Sequence, residues 1–123
     1  MNLEQLDHVA IHVKDVEESV RFYEQVLGLE AMARPAFDFP GAWFRLGSAQ
    51  ELHLIGEREE RVISSSRGNH YALRVDDPAG WAARLEEKGV AFRGPKARPD
   101  GVMQIFFEDP DGHVIELCGV AAG

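Results

Sequence analysis

The chain has 123 residues, 45% of them apolar and 28% charged, a balance that suits one domain with a true core and excludes a disordered chain. Its 13 Lys+Arg against 21 Asp+Glu give a formal net charge of −8, which argues against nucleic acid or an anionic membrane as a partner. No uncharged run exceeds seven residues, so no transmembrane helix is expected. The opening MNLEQLDH has no basic and apolar leader, and the single Cys118 permits no internal disulfide, so a cytoplasmic setting is expected.

The first predicted strand covers His8–Val13. Val9, Ile11 and Val13 alternate with His8, Ala10 and His12, which gives one apolar face and one polar-tinted face. A helix follows. Asp15 is its N-cap, Glu18 completes a capping box, Val16, Val20, Tyr23 and Leu27 recur at helical spacing, and Gly28 supplies a left-handed stop. Three strands are then expected at Leu29–Ala33, Ala42–Leu46 and Glu51–Ile55, divided by Pro40-Gly41 and Gly47-Ser48. Glu57–Gly68 is polar and Ser-rich and reads as a linker.

The pattern then starts again. Tyr71, Leu73 and Val75 alternate with His70, Ala72 and Arg74 in a second opening strand. Asp77 caps a helix, Pro78 takes its first position, Trp81 and Leu85 line one side, and Gly89 ends it. Strands are expected at Ala91–Arg93, Met103–Glu108 and Val114–Cys118, the last two joined by a tight turn at Asp109-Pro110-Asp111-Gly112.

Shifting the sequence by 62 superposes His8 on His70, Ala10 on Ala72, Val13 on Val75, Asp15 on Asp77 and Glu24 on Glu86. Those are five identities over 20 positions, where ordinary composition gives about one. The layout is therefore βαβββ twice. Module one spans about 4–58, the linker about 59–67 and module two about 68–119, within a single domain over 1–123.

The repeat pairs His8 with His70, and His53 with Glu116 at an offset of 63. Equivalent positions of two paired half-domains lie about a shared pseudo-axis, so these four side chains could meet at one point. Three imidazoles and a carboxylate suit a divalent ion of Fe, Mn, Co, Ni or Zn. His8, His70 and Glu116 alone would make a set of two histidines and one carboxylate with open coordination positions. Glu116, between Ile115 and Leu117, needs a partner if buried. Taken singly, each histidine also reads as an ordinary structural or surface residue.

Leu6-Asp-His-Val-Ala-Ile11, Ser19-Val-Arg-Phe-Tyr23 with Val26-Leu-Gly-Leu29, Asn69-His-Tyr-Ala-Leu73, and Glu108-Asp-Pro-Asp-Gly-His-Val-Ile-Glu116 together resemble the vicinal oxygen chelate superfamily of glyoxalases, fosfomycin- and bleomycin-resistance proteins and extradiol dioxygenases. The resemblance implies an α+β fold, two βαβββ modules forming an open, curved mixed-sheet barrel around a metal cleft, and a homodimer. It maps the metal positions onto His8, His70 and Glu116 and the variable fourth position onto His53. It implies an enzyme, a lyase, isomerase or dioxygenase, that chelates a small substrate through vicinal oxygens. The alternative it leaves is a non-catalytic small-molecule binding or antibiotic-resistance protein of the bleomycin or fosfomycin type. This chain departs from the glyoxalase I pattern, with His53 where that enzyme has Glu, His12 where it has Arg, and Glu57 where it has Asn.

In this picture Glu116 and His53 are the catalytic candidates, His53 completing the metal shell or acting as base. His12 and Arg74 occupy equivalent places and are candidate substrate contacts, with a partly exposed strand residue and a surface ion pair as the alternatives. Gln104 and Phe106 share a strand face with Glu108 and are candidates to hydrogen-bond and pack on substrate, although Phe106 also fits the core. Trp43 is a further candidate substrate contact: with Phe37 and Phe39, near Pro35 and Pro40, it is expected to form an apolar lip of the kind that marks a pocket rim or a dimer interface.

Overall fold

The computed structural model describes residues 1–120. The chain divides into two compact units, Met1–Glu60 and Arg61–Gly123. No helix among the described residues is long and apolar enough to cross a membrane.

The first unit contains β1 (His8–His12), α1 (Val16–Gln25), β2 (Ala31–Met32), β3 (Gly41–Leu46) and β4 (Gln50–Ile55). The strand order is β1-β4-β3-β2, with β1 parallel to β4 and the other pairs antiparallel. The Asp15 carboxylate accepts from the Glu18 amide at 3.2 Å, and Glu17 and Glu18 set negative charge against the positive helix end. Gly28, at φ +69°, lets the chain leave the helix. Period two sends Ile11, Val13, Phe44, Leu52 and Leu54 to one face of the sheet, where they are buried with Tyr23 of α1. Each such side chain contributes roughly 1.5–3 kcal/mol by leaving water. His8, Ala10, His12, Glu51, His53 and Trp43 fall on the other face.

The second unit repeats this plan with β5 (Tyr71–Arg74), α2 (Pro78–Glu87), β6 (Phe92–Ala97), β7 (Met103–Glu108) and β8 (Val114–Cys118), in the order β5-β8-β7-β6. The Asp77 carboxylate accepts from the Gly80 amide at 3.1 Å. Leu85 of α2, Ile105, Phe107, Ile115 and Leu117 are buried. The Asp109–Gly112 turn forms as expected: the Asp109 carboxylate accepts from the Asp111 and His113 amides, both at 2.9 Å.

Three expectations change. The strand over Leu29–Ala33 shrinks to Ala31–Met32, because the chain leaves the sheet for a loop that Arg34 closes by donating to the Phe39 carbonyl at 2.8 Å. The strand at Ala91–Arg93 instead runs Phe92–Ala97: Gly94-Pro95 does not end it but is absorbed by a register shift between Arg93 and Lys96. Gly94 has φ +98°, and a Cβ there would collide with the Gln104 carbonyl, so only glycine fits. Finally, on α1 Val16 and Val20 stay half-buried while Ser19 is fully buried.

Candidate functional site

In the second unit, β8 runs beside β5 with Glu116 opposite Ala72, and β7 places Phe106 opposite Glu116. The small Ala72 side chain leaves room above it. His70, two residues earlier on the same side, brings Nε2 to 3.0 Å from Glu116 Oε1. Its Nδ1 faces the Gly68 carbonyl at 3.1 Å. A carbonyl only accepts, so Nδ1 carries the hydrogen and Nε2 is the nitrogen turned to the acid. The second oxygen of Glu116 accepts from Gln104 Nε2 at 3.0 Å. Glu116 is only 5% exposed: Oε2 accepts from Gln104, while Oε1 faces His70 Nε2 at 3.0 Å, two electron-pair donors turned towards each other when the ring hydrogen is on Nδ1.

The first unit repeats the motif with different chemistry. His53 on β4 occupies the place of Glu116, and Trp43 on β3 the place of Phe106. The ring of His53 lies between two others, 3.9 Å from Trp43 at 1° and 4.1 Å from His8 at 17°. Each histidine is also held by an acid: His8 Nδ1 is 2.8 Å from Asp7, and His53 Nε2 is 2.8 Å from Glu51. Imidazole lone pairs lie in the ring plane. In this near-parallel stack those of His8 and His53 run alongside each other and do not converge on one point.

The remaining candidates separate. His12 Nε2 lies 2.9 Å from the Gly56 carbonyl, so it is engaged with backbone. Arg74 is exposed at the end of β5, opposite the half-buried thiol of Cys118. Gln104 is turned onto Glu116. Phe106 is half-buried and sits edge-on to His70 with ring centres 5.9 Å apart. The lip forms as a cluster: Phe37 stacks on Phe39 at 5.1 Å, stands 6.1 Å from Trp43, and lies under the Arg34 guanidinium.

Asp7, Glu51 and Gly68 were not foreseen as partners. Glu51 was discoverable, because Glu-X-His on a strand puts both side chains on one face. Gly68 contributes only its carbonyl, for which sequence holds no signal.

Within neither module do three His, Cys, Asp or Glu side chains gather as a metal-binding group among the described residues. The donor chemistry nevertheless suits a divalent ion at His70 and Glu116. Two ligands at about 2.1 Å from an ion and at right angles stand about 3.0 Å apart, the spacing seen here. The outer contacts to Gly68 and Gln104 are those that orient metal ligands.

The family profile of the Glyoxalase/Bleomycin resistance protein/Dioxygenase superfamily matches residues 5–117. The chain belongs to this superfamily. It is 31% identical over 126 residues to Glyoxylase I 4 of Arabidopsis thaliana, covering 96% of this chain and 72% of that one. It is 32% identical over 118 residues to the glutathione transferase FosA of Serratia marcescens, covering 94% and 80%. Among solved structures, the integron cassette protein HFX_CASS4 from the mobile metagenome of the Halifax Harbour sewage outfall superposes with a TM-score of 0.82 at 27% identity, covering 96% of this chain and all of that one. The α+β architecture of two βαβββ modules is thus the glyoxalase fold. In this superfamily member, the two modules carry the same framework of histidine, central-strand ligand candidate and flanking aromatic, with a carboxylate in one and an imidazole in the other.

Proposed function

We propose that the protein is a metal-dependent enzyme of the glyoxalase superfamily that acts on a small oxygenated molecule. The observation that supports this most is the His70–Glu116 pair, already at the spacing of adjacent ligands and anchored from behind. His8, His70 and Glu116 would hold the ion. In each, one polar atom is engaged by the protein, which leaves His8 Nε2 and the facing atoms of the His70–Glu116 pair as donors. A divalent ion bound there supplies Lewis-acid polarisation of the substrate's oxygens.

His53 has a different part. Glu51 keeps the hydrogen on Nε2, so Nδ1 presents a lone pair and can take a proton from substrate. Trp43 fixes the ring plane from one side. A homodimer in a cytoplasmic setting completes the proposal.

The test is elemental analysis of purified protein supplied with Fe, Mn, Co, Ni or Zn. About one ion per chain is expected, lost in His8→Ala and Glu116→Ala with far-UV circular dichroism retained. Failure to take up any of these ions overturns the proposal. A second reading, a thiol transferase of the fosfomycin-resistance type, is supported by the likeness to FosA. Loss of fosfomycin in the presence of glutathione separates it from a hemithioacetal lyase.

A further inference from the structure

The shift that pairs His8 with His70 also pairs Asp7 with Asn69, and the shift that pairs His53 with Glu116 pairs Glu51 with Val114. The two modules use these positions differently. In the first, the Glu51 amide donates directly to the Asp7 carbonyl at 3.2 Å, and His8 lies in the ladder opposite Glu51. The Asp7 carboxylate holds Nδ1 of its neighbour His8 at 2.8 Å.

In the second module the direct backbone bond is replaced. The Asp109 amide donates to the His113 carbonyl, so the Glu108–Val114 pair turns its own backbone groups away from each other. The Val114 amide therefore points to the β5 side, and in a residue only 2% exposed it needs a partner there. It donates to Ser64 Oγ at 2.9 Å, and the same hydroxyl donates to the Asn69 carbonyl at 2.7 Å. A hydroxyl accepts and donates at once, so Ser64 is a relay between an amide and a carbonyl whose counterparts in the first module meet directly. The extra link keeps this end of β5 off β8. The strand begins at Tyr71, opposite Ile115, and His70 stands outside the ladder that its counterpart His8 joins.

Ser64 also closes a loop. The Asn69 carbonyl accepts a second bond from the Ser65 amide at 3.1 Å, and the Gly68 amide donates to the Ser65 carbonyl at 3.3 Å. The Gly68 carbonyl belongs to this closed loop and faces His70 Nδ1 at 3.1 Å. Asn69 has no carboxylate to do for His70 what Asp7 does for His8, and the loop backbone takes over that part. Ser64, in the Ser-rich stretch that reads as a linker, thus ties β8, two residues before Glu116, to the backbone that holds His70.

We propose that Ser64 is a positioning residue for the His70–Glu116 pair: its hydroxyl, inserted between Val114 and Asn69, holds the Gly68 carbonyl on Nδ1 of His70 and so turns Nε2 to Glu116. The proposal rests on the metal-site reading for the use of the pair as ligands. The positioning itself needs no ion.

The test uses the full chain, stripped of metal by chelation. ¹H–¹⁵N spectra follow the exchange with water of the Nδ1 hydrogen of His70, beside that of the backbone amide of Ile105, fully buried on β7. The ring hydrogen is expected to exchange about tenfold faster in Ser64→Ala and in the near-isosteric Ser64→Cys, and within about twofold of the parent in Ser64→Thr, which keeps the hydroxyl. The Ile105 amide should not change. A loop tie that serves stability alone would speed both hydrogens together, and that result overturns the proposal. So does a parent ring with no hydrogen on Nδ1, a ring rate untouched in Ser64→Ala and Ser64→Cys, or equal acceleration in Ser64→Thr.

Divalent-ion affinity is measured on the same chains and should fall roughly tenfold in Ser64→Ala. The expected ring effect with no ion uptake by the parent would sink the metal reading alone. Ion uptake by the parent with an unchanged ring in the variants would sink the role of Ser64 alone.

Discussion

Nε2 of His70 stands 3.0 Å from Oε1 of Glu116, across the parallel pair β5 and β8. The contact joins the residue just before β5 to β8, at a carboxylate only 5% exposed. In Glu116→Gln the amide oxygen can still take one hydrogen bond and the volume is kept, but the charge that would neutralise an ion is gone. Divalent-ion affinity should fall by about 100-fold or more, while stability changes by no more than about 2 kcal/mol. Ion competition against a chromophoric chelator and urea denaturation measure the two separately.

Gln104 tests the outer contact. It donates to Glu116 Oε2 at 3.0 Å and has no place in the proposed ligand set. Gln104→Leu should lower ion affinity roughly 10–100-fold without abolishing it. An unchanged affinity would mean that Glu116 needs no support from β7.

Much of this was legible in sequence, for reasons visible in particular residues. Strand alternation in His8–Val13 and His70–Val75, and the caps at Asp15 and Asp77, are local signals, and the structure keeps them because tertiary packing agrees with them. The match of His53 to Glu116 came from the repeat, and both lie at the same place in their sheets. What was hidden depended on contacts distant in sequence or made by backbone. The Gly68 carbonyl on His70 has no side-chain signature, and neither has Gly56 on His12. The strand expected to end at Arg93 runs on through Gly94-Pro95, which the sheet absorbs as a register shift. Trp43 reads as a lip residue, whereas β3 pairing lays it flat on His53. That stack needed the register of two strands, which composition does not contain.

The Trp43–His53 stack predicts a stability effect at a polar site. Trp43 is half-buried and its ring is parallel to the imidazole at 3.9 Å. Trp43→Ala removes both apolar contact and the offset-ring attraction, and should cost about 2 kcal/mol by urea denaturation. Trp43→Phe should restore most of it.

Glu51 predicts a tautomer. With its carboxylate 2.8 Å from His53 Nε2, the neutral ring should carry its hydrogen on Nε2. Long-range ¹H–¹⁵N spectra of the imidazole should show one tautomer in the parent chain and a mixture in Glu51→Ala. A mixture in the parent would remove the argument that His53 presents Nδ1 as a base.

Arg98 and Asp100 predict a pH dependence whose sign is fixed. The hydrogen bond from Arg98, and after it that from the Val102 amide, lower the Asp100 carboxyl below its ordinary range. A carboxyl that is more acidic folded than unfolded stabilises the fold above the unfolded value of about 4, and that contribution is lost as pH falls through the folded value. Both groups are solvent-exposed, so the effect is small and screened by salt. Asp100→Asn should therefore be slightly less stable than the parent in urea at pH 7. The two curves should converge as the pH is brought below the parent's folded value, and raising salt should shrink the gap at pH 7. A gap that persisted unchanged in acid would show that the carboxylate's charge is not what Arg98 responds to, and that the turn at Asp100 acts through its shape alone.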